Sequence, residues 1–176
     1  MQLQYYTYYF LSKLFGNSWI QKYYKKAGMR IGNGTHIFSK LSLSEPYLIS
    51  IGNNTTIATN VSFITHDSAI GPISDRQRFS DLCGKITIGN NCFIGANSII
   101  LYGVTVADGS IVAAGSVLTK SFSEPGIIIA GCPAKKIGYT KDYVSRYENY
   151  FFCLDKLSYK ERKKEILSNE HKLIIR

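Results

Sequence analysis

Aliphatic residues recur at every sixth position through the middle of the chain. The unbroken run consists of Ile88, Ile94, Ile100, Val106, Val112 and Leu118. A glycine or alanine follows most of these aliphatics, and a compact residue such as Ser98 or Ser110 stands four places after several of them. A period of six matches neither the 3.6 residues of a helical turn nor the alternation of a single strand. It predicts a triangular coil in which each hexad forms a short strand and a corner, and three hexads complete one turn of a solenoid.

The same period continues upstream with one interruption. Two further sets of apolar residues keep the spacing: Ile31, Ile37 and Leu43, and Ile51, Ile57 and Phe63. A two-residue slip near Glu45 separates the two sets. Counting back from Ile88 puts Leu82 in register, so residues 69–81 are expected to form a loop extruded between hexads. The result is a mainly β solenoid of about four coils, above the minimum of about three repeats that such folds need.

Both ends of the chain have helical patterns. An amphipathic helix near the amino terminus is predicted by the spacing of Leu3, Tyr6, Phe10 and Leu14. We expect residues 1–27 either to cap the open end of the solenoid or to lie on an anionic membrane surface. Ser158 and Glu161 form a capping-box pattern, which predicts a helix from there to about Leu173. The expected segments are a helical cap over 1–30, the solenoid over 31–138 and a helical extension over 139–176.

The basic charge of the chain is confined to its two flanks. The net charge of +9 divides into +5 in residues 1–30, zero in residues 31–123 and +4 in residues 124–176. A nucleic-acid-binding domain usually concentrates such charge on one binding face. We therefore expect a polyanionic cofactor or an anionic membrane surface as the partner, and no nucleic acid.

The cysteines and the apolar runs indicate the compartment. Four single cysteines lack paired or metal-binding spacing: Cys83, Cys92, Cys132 and Cys153. Neither a disulfide scaffold nor a zinc ribbon is expected. No apolar run approaches the ~20 residues of a membrane-spanning helix, and the amino terminus lacks the pattern of a secretory signal. These features predict a cytoplasmic protein, with the inner face of the membrane as its one possible site of attachment.

A closing segment completes a pattern that resembles a known family. The hexads, the extruded loop and the sequence Ala-Gly-Cys-Pro-Ala-Lys-Lys-Ile at 130–137 are similar to the hexapeptide-repeat acyltransferases. The resemblance covers about residues 31–139 and is closest to the sugar O-acetyltransferases and xenobiotic acetyltransferases. It implies a left-handed parallel β-helix, an exception to the usual right-handed crossover. It also implies acetyl-CoA as the acyl donor, no metal, and a homotrimer with active sites between subunits.

Acetyl transfer without a covalent intermediate needs a general base, and histidine suits that role at neutral pH. Of His36, His66 and His171, only His66 stands immediately before the extruded loop, at the outward fourth place of its hexad. The resemblance agrees, because relatives have a Thr-His-Asp or Thr-His-Asn run at this point. His66 is therefore the predicted catalytic base. Its imidazole is expected to be oriented by Asp67 or by a backbone carbonyl.

The resemblance also implies where the donor binds. Ala96 matches a position whose backbone N–H faces the thioester and serves as the oxyanion donor. Ala114 matches a position beside the pantetheine arm. Four further residues are expected to contact the lower pantetheine and the phosphates of CoA: Thr119, Lys120, Lys135 and Lys136.

The extruded loop is expected to shape the acceptor pocket. Arg76 and Arg78 are suited either to an acidic sugar or phosphate or to pairing with Asp75 and Asp81. Phe93 matches a position where related sugar acetyltransferases often have an aromatic residue near the base. Asp67, which directly precedes the loop, is the fourth candidate for this pocket.

The predicted reaction is acetyl transfer from acetyl-CoA to a hydroxyl of a capsule or lipopolysaccharide sugar. Two alternatives stay open. One is an acetyltransferase with another acceptor, such as an amino sugar, serine or an antibiotic. The other is a non-catalytic solenoid that serves as a binding platform. A carbonic anhydrase on this fold needs three converging histidines, and only His36 and His66 lie on the predicted solenoid.

Overall fold

The chain folds into two compact units, Met1–Thr140 and Lys141–Arg176. The computed structural model describes residues 2–15, 17–41, 44–73 and 81–174. Leu43, the last apolar residue of the first predicted set, lies outside the described residues, as do Arg76 and Arg78.

Most strands of the first unit are only two or three residues long. In chain order they are β1 (Arg30–Ile31), β2 (His36–Ile37), β3 (Ile49–Ile51), β4 (Thr56–Ile57), β5 (Ser62–Phe63), β6 (His66–Asp67), β7 (Leu82–Cys83), β8 (Ile86–Ile88), β9 (Phe93–Ile94), β10 (Ile99–Ile100), β11 (Thr105–Val106), β12 (Ile111–Val112), β13 (Val117–Leu118), β14 (Ile127–Gly131) and β15 (Ala134–Tyr139).

These strands stack into three sheets that form the faces of a prism. Sheet A has the order β1-β3-β8-β11, sheet B the order β15-β14-β12-β9-β4-β2, and sheet C the order β13-β10-β5. Pairing is parallel throughout, except that β15 turns back antiparallel to β14 at the carboxyl end. Apart from the hexads of Leu43, which lies outside the described residues, and of Leu82, each predicted hexad contributes one strand, and three successive hexads visit the three sheets in turn.

The hexad aliphatics form the core of the prism. On sheet B, Ile57, Ile94 and Val112 lie in register and are completely buried. The compact residues below the corners hydrogen-bond between coils: Thr55 Oγ1 donates to the Gly89 carbonyl at 2.8 Å and accepts from Cys92 N–H at 3.0 Å. A six-residue period thus supplies both the apolar interior and the polar contacts that hold neighbouring coils together.

The described parts of the interruption, 66–73 and 81–83, are folded, and residues 66–83 are called the excursion below. It contains the short helix α3 (Ile70–Ile73) and a hairpin in which β6 pairs antiparallel with β7. The prediction that Leu82 lies in the hexad register is wrong, because Leu82 is half exposed and pairs with Asp67. The solenoid resumes at Ile86, which pairs with Ile49. A spacing count gives the distance along the chain but not the direction in which a strand returns.

Two helices precede the solenoid, α1 (Gln2–Phe15) and α2 (Ser18–Lys26). Helix α2 covers the first coil: Tyr24 is fully buried, and its hydroxyl donates to the Ser39 carbonyl at 3.1 Å. The Asn17 side chain pairs with both backbone groups of Ile37, at 2.7 and 2.9 Å, as a neighbouring strand would. The helix that caps the coil is therefore α2, whereas the apolar stripe predicted on α1 is exposed.

The second unit contains α4 (Thr140–Tyr147, which begins at the unit boundary) and α5 (Tyr159–Ser168), each followed by a 3-10 turn. The predicted capping box is confirmed, since Glu161 N–H donates to Ser158 Oγ and Ser158 N–H donates to Glu161 Oε2. Helix α5 ends at Ser168 rather than near Leu173. Asn169 ends it, because its side-chain amide donates to the Glu165 carbonyl at 3.0 Å.

Candidate active site

A carboxylate from a distant part of the chain holds the imidazole of His66. Nδ1 of His66 lies 2.9 Å from Oε2 of Glu45. Because an ionised carboxylate only accepts hydrogen bonds, Nδ1 must carry the hydrogen. In the neutral ring, Nε2 then has the free lone pair and is the atom able to take a proton. The His66 side chain is 36% exposed, so it is accessible to a substrate.

The slip between the first two hexad sets is what brings Glu45 to this position. Glu45 directly precedes a 3-10 turn at Pro46–Leu48, and its carbonyl accepts from Leu48 N–H at 3.0 Å. Thr65, the residue before the histidine, donates its hydroxyl to the same Oε2 at 2.5 Å. Glu45 is a functional candidate that the sequence patterns do not identify. The break in the period is the one signal in the sequence that marks this segment as unlike the other hexads.

Each member of this pair shifts the pKa of the other. The pKa of Glu45 is lowered, first by the Thr65 hydroxyl and then by the hydrogen bond to His66. The pKa of His66 is raised, chiefly by the hydrogen bond to Glu45 and then by its negative charge, with smaller contributions from Asp81 and Asp67. The ring is therefore a stronger base than an isolated histidine.

Neither Asp67 nor a backbone carbonyl, the two groups expected to orient His66, holds its Nδ1, because Glu45 occupies that position. Oδ1 of Asp67 accepts from Ala69 N–H at 2.8 Å, and its Oδ2 accepts from the Tyr102 hydroxyl at 3.2 Å. These contacts hold the start of the excursion against the coil that contains Tyr102. Asp67 therefore positions the excursion, and Glu45 holds the imidazole. Cys83, which is exposed, lies directly across the β6–β7 ladder from His66.

Ala96 and Ala114 lie at stacked corners of neighbouring coils. The Ala96 carbonyl accepts from Gly115 N–H at 2.8 Å, and a Cβ on Gly95 would lie only 2.5 Å from the Ala114 nitrogen. A glycine is therefore required at position 95 for the corners to approach this closely. Among the described residues, no acceptor pairs with the Ala96 N–H. This is the property required of a donor to a substrate oxyanion.

A single chain does not bring His66 and Ala96 together. Ala96 precedes the sheet C strand β10, whereas His66 follows the sheet C strand β5. The two residues lie at opposite ends of the strands of that sheet, separated by more than about 10 Å at ~3.3 Å per residue. Phe93 is on another face, exposed on sheet B between Thr56 and Ile111.

The three lysines predicted to bind phosphate line one depression. Its volume is about 490 Å³, and Lys120, Lys135 and Lys136 all border it. Lys136 Nζ lies 2.7 and 2.8 Å from the two carboxylate oxygens of Glu124, which raises the pKa of the lysine and lowers that of the glutamate. Within the described part of the chain, Lys120 and Lys135 pair with no carboxylate. Thr119 is exposed beside Lys120.

Other predicted features are outside the described structure or contribute no further chemistry. Arg76 and Arg78 fall in the segment 74–80, which the structure does not describe. In the described ranges, no group of three or more His, Cys, Asp or Glu side chains is arranged to hold a metal ion. His36 is exposed and stacks on Phe38, with ring centroids 6.3 Å apart.

Sequence comparisons identify relatives of this chain. The family model described as the hexapeptide repeat of succinyl-transferase matches residues 85–120. Protein CapG of Staphylococcus aureus is 39% identical over 147 residues, which cover 82% of this chain and 85% of CapG. The galactoside O-acetyltransferase of Escherichia coli (strain K12) is 33% identical over 142 residues, which cover 77% of this chain and 66% of that enzyme.

Solved structures of acetyltransferases are also similar to this chain. The hexapeptide-repeat containing acetyltransferase VCA0836 of Vibrio cholerae, complexed with acetyl coenzyme A, matches with a TM-score of 0.57 and 31% identity. The match covers 65% of this chain and 62% of VCA0836. A galactoside acetyltransferase in complex with coenzyme A matches with a TM-score of 0.57 and 27% identity, over 80% of this chain and 78% of that protein.

Proposed function

Because this chain belongs to the hexapeptide-repeat family of acetyltransferases and has their left-handed parallel β-helix, we propose that it transfers the acetyl group of acetyl-CoA to a hydroxyl of a carbohydrate. The observation that carries this proposal is the Glu45–His66 pair, which leaves a basic nitrogen at an accessible position. The choice of acceptor is supported by the relative named galactoside O-acetyltransferase. The choice of donor is supported by neighbours complexed with acetyl-CoA and CoA.

In the proposed mechanism, His66 is the general base. Nε2 takes the proton of the acceptor hydroxyl while the hydroxyl oxygen attacks the thioester carbonyl carbon. The resulting imidazolium is stabilised by the Glu45 carboxylate on Nδ1. When the carbon–sulfur bond breaks, the proton passes from Nε2 to the sulfur. The products are the acetyl ester and CoA with a free thiol.

The oxyanion that forms during attack needs a donor, and the Ala96 N–H is the proposed one. Since Ala96 and His66 lie at opposite ends of the sheet C strands in one chain, we propose that each site combines His66 of one subunit with Ala96 of the next. A homotrimer supplies three such sites by symmetry.

The outward rows of the prism support this assembly. The outward row of sheet B is His36, Thr56, Phe93, Ile111 and Ile128, and that of sheet C is Ser62, Ile99 and Val117, so both rows are apolar toward the carboxyl end of the solenoid. The outward row of sheet A is polar and consists of Arg30, Ser50, Thr87 and Thr105. Apolar faces favour burial between subunits, and a crevice there would enclose a pantetheine arm that a single flat face cannot.

The remaining assignments complete the proposal. Ala114 and Thr119 would contact the pantetheine, and Lys120, Lys135 and Lys136 the phosphates. The excursion would bound the acceptor site through Asp67, Arg76 and Arg78, with Phe93 contributed by another subunit. We propose a capsule or lipopolysaccharide sugar as acceptor. A cytoplasmic location fits the four unpaired thiols.

The test is a thioester-consumption assay on a panel of free sugars, nucleotide sugars, amino sugars, serine and aminoglycoside and streptogramin antibiotics. We expect turnover with a sugar whose product loses its acetyl group in hydroxylamine, because esters are cleaved and amides are not. His66→Ala should lower turnover by about 10²- to 10⁴-fold while acetyl-CoA still binds.

His171→Ala is the matched control, since His171 is exposed on the second unit, and it should keep full activity. An amide product would show that the acceptor group is an amine and not a sugar hydroxyl. Full turnover by His66→Ala would refute the base. Acetyl-CoA binding without turnover on any panel member would favour the binding platform.

A further inference from the structure

Helix α1 is apolar on two sides: one packs against α2, and the other is exposed among the described residues. The covered side packs against α2: the ring of Tyr8 lies 6.5 Å from Trp19 and 5.6 Å from Tyr23, measured between centroids. Tyr8 is accordingly half-buried against the core. The burial of this side explains why α1 is attached to the fold, but it leaves the second side unexplained.

The second side is a continuous apolar stripe. At 100° per residue, its four members fall within an arc of about 80° and extend over roughly 16 Å. Their exposed fractions are 83% for Leu3, 56% for Tyr6, 61% for Phe10 and 60% for Leu14. Single exposed apolar residues are ordinary, but a row of four on one helix face indicates an interaction surface.

The surroundings of the stripe are basic. Residues 1–30 contain five Lys or Arg and no acidic residue. Lys22, Lys25 and Lys26 are exposed on α2, which packs against the side of α1 opposite the stripe, so they add to the positive charge of this end of the fold without bordering the stripe. Lys40 Nζ lies 5.3 Å from the ring centroid of Tyr6, at the edge of the stripe itself. Leu, Phe and Tyr on one side, with Lys40 at the rim and a basic amino-terminal segment, match the composition of helices that lie in a lipid headgroup layer.

We propose that the α1 stripe docks on the surface of a membrane that contains anionic lipids, with the helix parallel to the bilayer plane. The charge decides between the two apolar occupants available, because a second copy of this chain would bring a second all-basic amino-terminal segment to the same contact. An anionic surface is instead attracted, by about 1 kcal/mol per nearby Lys or Arg. Among the described residues, every helix is too short or too polar to cross a bilayer.

Vesicle co-sedimentation of the full chain tests this proposal. The vesicles are phosphatidylcholine alone, or phosphatidylcholine mixed with an equal part of phosphatidylglycerol. We expect binding to the mixed vesicles to be about tenfold tighter than to phosphatidylcholine, and salt to weaken it. The double variant F10S/L14S should lose about tenfold or more of that binding. Leu167→Ser, which removes an exposed leucine from α5, is the matched control and should bind like the wild type.

A second variant covers the case in which F10S/L14S fails to fold. Lys40→Ser leaves the stripe intact, removes the lysine at its edge and should reduce only the preference for phosphatidylglycerol. The proposal is overturned if the wild type binds neither vesicle, or if folded F10S/L14S binds as well as the wild type. A lower mass of F10S/L14S in light scattering without vesicles would instead assign the stripe to a second copy. Sedimentation needs no acetyl transfer, so its outcome is independent of the proposed enzymatic function.

Discussion

The carboxylate of Glu45 accepts the Nδ1 hydrogen of His66 at 2.9 Å, across 21 positions of sequence. The hydroxyl of Thr65 donates to the same oxygen. One glutamate therefore fixes the ring orientation and its tautomer together, and leaves Nε2 as the reactive nitrogen. A bond of this kind predicts effects on rate, on pH dependence and on stability that can be measured separately.

Glu45→Gln should shift the pH dependence of catalysis. The raised pKa of His66 keeps the ring protonated, and so unable to act as a base, to a pH above its ordinary 6.5. The acid limb of kcat/KM should thus lie above pH 6.5 in the wild type and move to lower pH in Glu45→Gln. The plateau rate should fall about tenfold, because the remaining base is weaker. Asp67→Asn is the control and should shift the limb far less, and an unmoved limb in Glu45→Gln would contradict the role of Glu45.

The same pair makes folding stability depend on pH. The raised pKa of His66 stabilises the fold below pH 6.5, and this contribution is lost as the pH rises through the raised value. The lowered pKa of Glu45 stabilises the fold above pH 4.5, and this contribution is lost as the pH falls through the lowered value. The Tm difference between the wild type and Glu45→Ala should be largest between pH 4.5 and pH 6.5, where both contributions are present. A difference that is constant with pH would show that the pair contributes no linkage.

Local patterns predict most of this fold because each hexad makes its own strand. The aliphatics at six-residue spacing are buried from Ile88 to Leu118, and Cys92 takes a compact corner position as expected. The position of His66 before the excursion is equally local. Glu45 was not predictable, since its contact depends on how the turn at Pro46–Leu48 folds back toward the second coil. Leu82 shows the same limit, because a period describes repeats and not a hairpin that leaves them.

A ladder of corner side chains predicts a second pH effect. Asn53 Oδ1 accepts from Asn33 N–H, Asn90 Oδ1 accepts from Asn53 N–H, and Asp108 Oδ1 accepts from Asn90 N–H, each at 2.8 Å. Asp108 Oδ2 also accepts from the Asn90 amide at 3.0 Å, and these bonds lower the pKa of Asp108.

Asp108→Ala should therefore lower the Tm by about 2–4 °C at pH 7. A lowered pKa means that the contribution of Asp108 is present above pH 3.8 and is lost as the pH falls through the lowered value. The two melting curves should converge in strong acid. Asp108→Asn keeps one acceptor oxygen and should fall between them. Equal Tm values for Asp108→Ala and the wild type at pH 7 would show that the ladder is dispensable.

A site shared between subunits predicts that two inactive variants restore each other. Ala114 is exposed at its corner, so Ala114→Trp should block the pantetheine arm without disturbing the core. Co-expressed with His66→Ala, it should give mixed trimers in which some sites have both wild-type halves. Activity should then rise about tenfold above either variant alone. Light scattering should give the mass of a trimer.

The control for this experiment combines two lesions in the same half of the site. Ala96→Trp with Ala114→Trp should give no recovery, because every site then has a damaged donor half. No recovery in the first pair as well, with trimers present, would mean that base and donor groups belong to one chain. A mass near 19.7 kDa with full activity would exclude any shared site.

The depression lined by three lysines predicts an unequal effect of removing them. Lys120→Met and Lys135→Met should each raise KM for acetyl-CoA about two- to fivefold, the scale of an exposed charge contact. Turnover should stay nearly unchanged, since binding is lost equally from ground state and transition state. Lys136→Met should do less, because Glu124 already neutralises that ammonium at 2.7 Å.

Glu124→Gln separates charge from position in this depression. Removal of the carboxylate leaves Lys136 in place but unneutralised, so KM for acetyl-CoA should fall below that of the wild type. All of these effects should shrink in high salt, where charges are screened over shorter distances than the ~10 Å at 0.1 M. Competition by dephospho-CoA, which lacks the 3′-phosphate, distinguishes the two phosphate positions. A variant whose lysine contacts the 3′-phosphate should bind dephospho-CoA as tightly as the wild type does. A variant whose lysine contacts the pyrophosphate should bind it more weakly. If Lys120→Met and Lys135→Met have the wild-type KM for acetyl-CoA at low salt, the nucleotide binds elsewhere. Charges are screened least at low salt, so the loss of a phosphate contact would be measurable there.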